Sequence, residues 1–107
     1  MIEVLHALEG ALMDFRDKDI ELFWINPGRY FPRRVPASLR RVLYRKLQIL
    51  EAASHINDLR VPPGNRLEKL SGDREGQHSI RINKQWRLCF IWTTDGVKGV
   101  ELSDYHK

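Results

Sequence analysis

The chain has 107 residues, a formal charge of +4 and a sequence pI near 9.5, which bounds it to one domain with a single modest core. No stretch approaches the ~20 apolar residues of a membrane span, and Glu3, His6 and Glu9 interrupt the N-terminal apolar run where a signal peptide needs continuity. Cys89 is the only cysteine, so a disulfide framework and a multi-cysteine zinc site are excluded and a reducing cytoplasm is the expected home.

Residues 2–12 carry a weak amphipathic pattern (Ile2, Leu5, Leu8, Leu12) with Gly10 against it. Met13 offers a second start, followed by a first strand and a short helix. Residues 1–12 are therefore expected to be an extension of unassigned role, with 13–107 as the single domain. Asp17 or Asp19 is placed to cap a helix through Phe23 and Trp24, ended by Asn26-Pro27-Gly28. A loop follows from Arg29 to Val35. Pro36 then sits at a plausible first turn, and Leu39, Val42, Leu43, Lys46, Leu47 and Leu50 recur at helical spacing to about Ala53. Arg40, Arg41 and Arg45 fall largely off that stripe.

After a turn at His55–Leu59 and a loop at Val61–Asn65, the period changes from helical to two. Arg66 to Leu70 reads as a strand, and Ser71-Gly72-Asp73 as a turn. Then His78, Ile80 and Ile82 alternate with Ser79, Arg81 and Asn83, and Trp86, Leu88, Phe90 and Trp92 with Arg87, Cys89 and Ile91. Thr94-Asp95-Gly96 makes a hairpin turn into a last strand through Val100 and Leu102. Helices first and a strand meander afterwards imply an α+β domain, with N-terminal helices packed on a small antiparallel sheet. If the apolar set faces the helices, Arg81, Asn83, Arg87 and Cys89 lie on the open side.

Charge and residue type narrow the chemistry. From Gly28 to Gln48 there are seven basic residues and no acid, an electrostatic footprint for a phosphate backbone or for an acidic protein partner. The four histidines are scattered and no metal-binding or phosphate-loop spacing occurs, so neither a metal nor a nucleotide cofactor is expected. RNA can be cut through its own 2′-hydroxyl by a base, an acid and fixed positive charge. His106 suits acid or base work, Glu68 a base, Arg87 charge stabilisation, and Tyr105 stacking or a phosphate contact. Each has a plain structural reading as well: a loose terminus for Asp104-Tyr105-His106, an exposed strand position for Arg87, and pairing with Arg66 or Lys69 for Glu68. Trp86 and Trp92 read as core, and Cys89 as a packed strand residue.

The blocks PPGNRLEKLSGDREGQHSIRIN, QWRLCF and the terminal DYH, in this order, resemble the HigB branch of the RelE superfamily of bacterial toxins. The resemblance covers about Phe15 to His106. It implies a compact RelE-like domain of two helices on an antiparallel sheet, and ribosome-dependent mRNA cleavage in the 30S A site without metal. It also implies a HigA-type helix-turn-helix antitoxin as partner, with operator DNA reached only through that complex. By position it assigns Arg87, Asp104, Tyr105 and His106 to the site. Some members have a His-Pro pair followed by Leu-Lys before the Gly-Asp turn, where this chain has Glu68-Lys69-Leu70-Ser71. The base is then either Glu68 or His106, while Arg66, Lys69, Arg81 and Lys84, with Arg40, Arg41 and Arg45, are expected to bind RNA. The rival expectation is a non-catalytic, degenerate toxin acting as a co-repressor with its antitoxin.

Overall fold

A computed structural model describes residues 13–105; the expectations for residues 1–12 and for His106 lie outside them. Among the described residues, two α-helices lie on one face of a four-stranded antiparallel meander in the order β1-β2-β3-β4. The helices are α1 (Lys18–Ile25) and α2 (Arg40–Ala52), and the strands are β1 (Glu68–Lys69), β2 (His78–Arg81), β3 (Trp86–Thr93) and β4 (Gly96–Asp104). The expected α+β architecture is the observed one. No helix among the described residues is long and apolar enough to cross a membrane.

The apolar spacing explains the core. In α2, free of glycine and proline, Leu43, Leu47 and Leu50 form one buried stripe. In α1, Ile20 and Phe23 face the same interior. They meet Ile80, Leu88, Phe90, Val100 and Leu102 from the sheet, each large aliphatic contributing about 1.5–3 kcal/mol by leaving water. Trp86 is in the core and Trp92 packs on its margin, as the alternation requires.

Several local expectations are corrected. The segment after Met13 forms no strand but a single parallel bridge, Phe15 to Val100, with Asp14 and Arg16 N–H donating to the Val97 and Val100 carbonyls. Asp17 stands at the N-cap of α1 but makes no capping bond. Its carboxylate accepts instead from the Leu102 N–H at 2.7 Å and from Arg34 at 2.8 Å, while Arg34 also donates to the Leu102 carbonyl. Leu102 lies on the outer edge of β4, where its backbone groups lack a strand partner. An anion and a cation therefore complete that edge more effectively than a cap would complete the helix. Opposite the middle of β3, the register shifts between Cys89 and Ile91, with Gly99 at φ 59°. An extra residue there bends β4, and a left-handed backbone favours glycine.

The expected strand from Arg66 to Leu70 shrinks to Glu68–Lys69 because Arg66 is left-handed (φ 45°). The cause lies just before it. Asn65 is fully buried at the end of a 3₁₀ turn (Pro63–Asn65) that follows a cis Val61–Pro62 bond. Its amide donates to the Leu59 and Val61 carbonyls and its oxygen accepts from Lys46 of α2. That anchor fixes the PPGNR stretch against the helix and turns the next peptide outward.

Candidate active site

Strand register decides which side chains share a face. Glu68 pairs with Ser79, Ser79 with Cys89 and Cys89 with Glu101; Arg81 pairs with Arg87 and Arg87 with Ser103. Paired positions, and positions two apart, point to the same side. Glu68, Ser79, Arg81, Arg87, Cys89, Glu101, Ser103 and Tyr105 therefore lie on the face away from the helices, and Asp104 alternates to the other.

On that face a cleft of about 700 Å³ is bounded by Arg66, Glu68, Arg81, Asn83, Lys84, Gln85, Arg87 and Tyr105. Six of these were singled out in the sequence; Asn83 was placed only on the open side, and Gln85 was missed. Four cations against one carboxylate leave the rim net positive, which suits a polyanion.

Arg87 does not lie open as expected. It is 7% exposed, because Arg66 and Tyr105 close over it while Ser79 lies beneath. Its Nε donates to Ser79 Oγ at 2.7 Å, and Nη2 donates to the Arg66 carbonyl at 2.6 Å and more weakly to the Ser79 carbonyl at 3.3 Å. The left-handed turn at Arg66 is what presents that carbonyl. Glu68 Oε1 lies 3.7 Å from Nη2, so Glu68 pairs across the sheet rather than with Arg66 or Lys69. Among the described residues Nη1 takes no hydrogen bond, leaving one edge of the guanidinium for a ligand.

Asp104 and Tyr105 are not a loose end. The Tyr105 N–H donates to the Gln85 carbonyl, and Gln85 Nε2 donates to Asp104 Oδ2 at 3.2 Å. The Tyr105 ring faces Arg87, 5.9 Å from ring centre to guanidinium carbon, and its hydroxyl turns to Cys89 Sγ at 3.9 Å. Burial, followed by the neighbouring Cys89, raises the phenol pKa above its ordinary value, with Arg74 and Arg87 opposing. Tyr105 is therefore protonated at neutral pH.

Arg74, unnoticed in the sequence, supports this arrangement from below. It donates to Glu101 and Gln77 at 3.1 Å each and to Ser103 Oγ at 3.0 Å, and Ser103 Oγ lies 3.6 Å from Cys89 Sγ. The hydrogen bond to Glu101 raises the Arg74 pKa further. No sequence signal marked Arg74, because its partners are distant in the chain and meet only through strand register.

The remaining candidates lie elsewhere. Lys69 is exposed on β1, outside the cleft lining. Arg40, Arg41 and Arg45 line a separate recess between the helices with Phe23, Pro27 and Tyr44. His78 stacks on Phe90, and its pKa is lowered first by burial and then by Lys69, so it packs as a neutral ring. Cys89 is a buried strand residue. Among the described residues, no three His, Cys, Asp or Glu converge as metal ligands.

Residues 13–106 match the family model described as the RelE-like toxin HigB of type II toxin–antitoxin systems. Toxin HigB-1 of Vibrio cholerae is 47% identical over 93 residues, 87% of this chain and 92% of that protein. An uncharacterized protein of Haemophilus influenzae is 40% identical over 72 residues, 67% of this chain and 71% of its own. Endoribonuclease HigB of Proteus vulgaris is 32% identical over 72 residues, 67% of this chain and 77% of its own.

Proposed function

The chain belongs to the HigB-like toxins of type II toxin–antitoxin systems, and from that premise we propose that it is an endoribonuclease cutting mRNA in the ribosomal A site without a metal. The observation that carries the reading is the cleft itself. It joins a buried, hydrogen-bonded Arg87, an adjacent Glu68 carboxylate, an aromatic ring and three further cations on one face.

In this reading Arg66, Arg81 and Lys84 track the RNA backbone, whereas Lys69, paired with His78, lies on the opposite face from Glu68. The scissile phosphate binds at the free edge of Arg87, whose fixed charge stabilises the pentacoordinate phosphorane. Glu68, at 3.7 Å from that guanidinium, takes the proton from the 2′-hydroxyl. The 2′-oxygen attacks phosphorus, the bond to the 5′-oxygen breaks, and His106 supplies that oxygen with a proton. The products are a 2′,3′-cyclic phosphate and a 5′-hydroxyl. Tyr105, protonated and with its hydroxyl turned to Cys89, stacks on a base rather than transferring a proton. Asp104 holds Gln85 and so the approach of Tyr105 to the cleft.

A type II toxin has a cognate antitoxin, and we assign a HigA-type helix-turn-helix protein to that role, with operator DNA bound only through the complex. Controlled expression followed by primer extension on cellular mRNA tests the enzyme. Cuts inside translated codons, absent when ribosomes are removed, are the expected result. Intact transcripts despite abundant folded protein would overturn it in favour of a non-catalytic co-repressor.

A further inference from the structure

The helical side of the molecule carries a second positively charged surface that the cleft chemistry does not use. Two recesses flank the contact between Phe31 and Arg40, whose guanidinium carbon lies 4.8 Å from the ring centre. One, of about 290 Å³, is bounded by Phe23, Arg40, Arg41, Tyr44 and Arg45; the other, of about 360 Å³, by Tyr30, Phe31 and Arg33. Neither shares a lining residue with the cleft.

Two independent observations describe what this surface would accept. The first is charge. Arg34 is neutralised by Asp17 and Asp19, but Arg33, Arg40, Arg41 and Arg45 form no salt bridge among the described residues. The second is apolar exposure. Of the five large hydrophobic side chains exposed among the described residues, three (Ile25 at 65%, Tyr30 at 38% and Val42 at 36%) fall on this one stretch of chain. Exposed hydrophobic side chains and unpaired guanidinium groups on the same stretch, residues 25–45, match a partner that is itself apolar along one side and anionic along the other.

That combination favours protein over RNA. Phosphates would use the arginines but leave Ile25 and Val42 in water. Base stacking has one exposed ring, Tyr30, to use, since the Tyr44 ring already packs against Phe23 at 5.6 Å and Trp24 at 5.3 Å. We propose that the end of α1, the loop through Arg34 and the first turns of α2 dock an acidic amphipathic segment of the cognate antitoxin. Its carboxylates meet Arg33, Arg40, Arg41 and Arg45, and its apolar side chains enter the two recesses. The proposal rests on the chain being the toxin of such a pair, and it reassigns Arg40, Arg41 and Arg45 from RNA to protein.

The test uses the full chain and the antitoxin encoded beside it. Calorimetric titration compares the wild type with Arg41→Glu/Arg45→Glu and, separately, Ile25→Asp; all three positions are exposed, so folding is spared. The charge reversal is expected to weaken antitoxin binding at least 30-fold and Ile25→Asp about 10-fold. Codon-located cuts by primer extension should persist, now also in cells that co-express the antitoxin. Hydrogen exchange on the wild-type complex should show protection across residues 22–45. Affinity within threefold of wild type in both variants, or no antitoxin binding at all, overturns the proposal. So does loss of mRNA cutting with antitoxin binding intact, which would return the surface to RNA. If the wild type binds the antitoxin through these residues yet cuts no mRNA, the docking surface stands and the endoribonuclease reading falls.

Discussion

Ser79→Ala isolates how the guanidinium of Arg87 is held. Ser79 is fully buried and accepts the Nε–H at 2.7 Å, and the arginine itself is 7% exposed. Removing the hydroxyl leaves a charged, buried donor short of one acceptor, which costs about 1.5–3 kcal/mol. The loss is smaller than for a stranded charge because Nη2 keeps the Arg66 carbonyl. The nearby Glu68 pair offers a contrast. Its carboxylate is 55% exposed and lies at 3.7 Å, so Glu68→Gln should change stability by under about 1 kcal/mol. For a domain of this size 1 kcal/mol is about 4–8 °C of melting temperature, so Ser79→Ala should lower Tm by roughly 6–24 °C. In an Arg87→Ala background the same substitution has no donor to strand and should cost under about 0.5 kcal/mol, a coupling energy above ~1 kcal/mol. Urea denaturation of the four proteins measures it. Cleavage should also fall about tenfold or more in Ser79→Ala, since a tilted guanidinium meets the phosphate off-line. Additive effects, with Ser79→Ala equally costly in both backgrounds, would refute the account of Arg87 as a side chain fixed from beneath.

Three further outcomes follow from the geometry. Tyr105→Phe keeps the ring against Arg87 and should retain cleavage within about threefold, while Tyr105→Ala should lose about 5- to 150-fold, the equivalent of 1–3 kcal/mol of base stacking; single-turnover assays on ribosome-bound mRNA separate them, and equal losses would make the hydroxyl the working group. Asn65→Ala deprives the Leu59 and Val61 carbonyls of their donor and should cost about 1–3 kcal/mol in urea, with cleavage falling further as the Arg66 carbonyl shifts. The Arg34 hydrogen bond holds Asp19 below its ordinary value of 3.8, so its stabilising contribution is full above that pH and is lost as pH falls through the lower folded value. Arg34→Ala should therefore be least stable relative to wild type near neutrality, with the contribution from Asp19 fading on acid titration followed by circular dichroism; a constant difference down to pH 2 would remove Asp19 from the explanation.

The parts of the fold that were legible in the sequence are those set by periodicity. Leu43, Leu47 and Leu50 mark α2, and the alternation through β2 and β3 divides core from cleft. What stayed hidden was set by single long-range contacts. Asp17 looks like a helix cap in sequence because its neighbours are helical. Only the edge of β4, more than eighty residues later, shows that Leu102 needs it more. Arg66 reads as a strand residue until Asn65 is known to be buried. Arg74 carries no local signature, yet it ties Glu101 and Ser103 beneath Tyr105.

The same distinction explains why exposure was misjudged at Arg87. Alternation places a side chain on a face of the sheet, but it does not say whether that face is bare. Here the far face is only partly open, because the left-handed Arg66, the short β1 and Tyr105 fold across it and bury the central arginine while Arg81 and Lys84 remain at the rim. For RNA chemistry that difference is material. A rim cation attracts a phosphate through solvent and is screened by salt. A buried guanidinium with two of its nitrogens already bonded meets the phosphate with little reorganisation and in a lower dielectric, where its charge acts more strongly. On the proposed reading the cleft divides the work: exposed cations recruit the backbone, and Arg87 acts where the charge of the transition state develops.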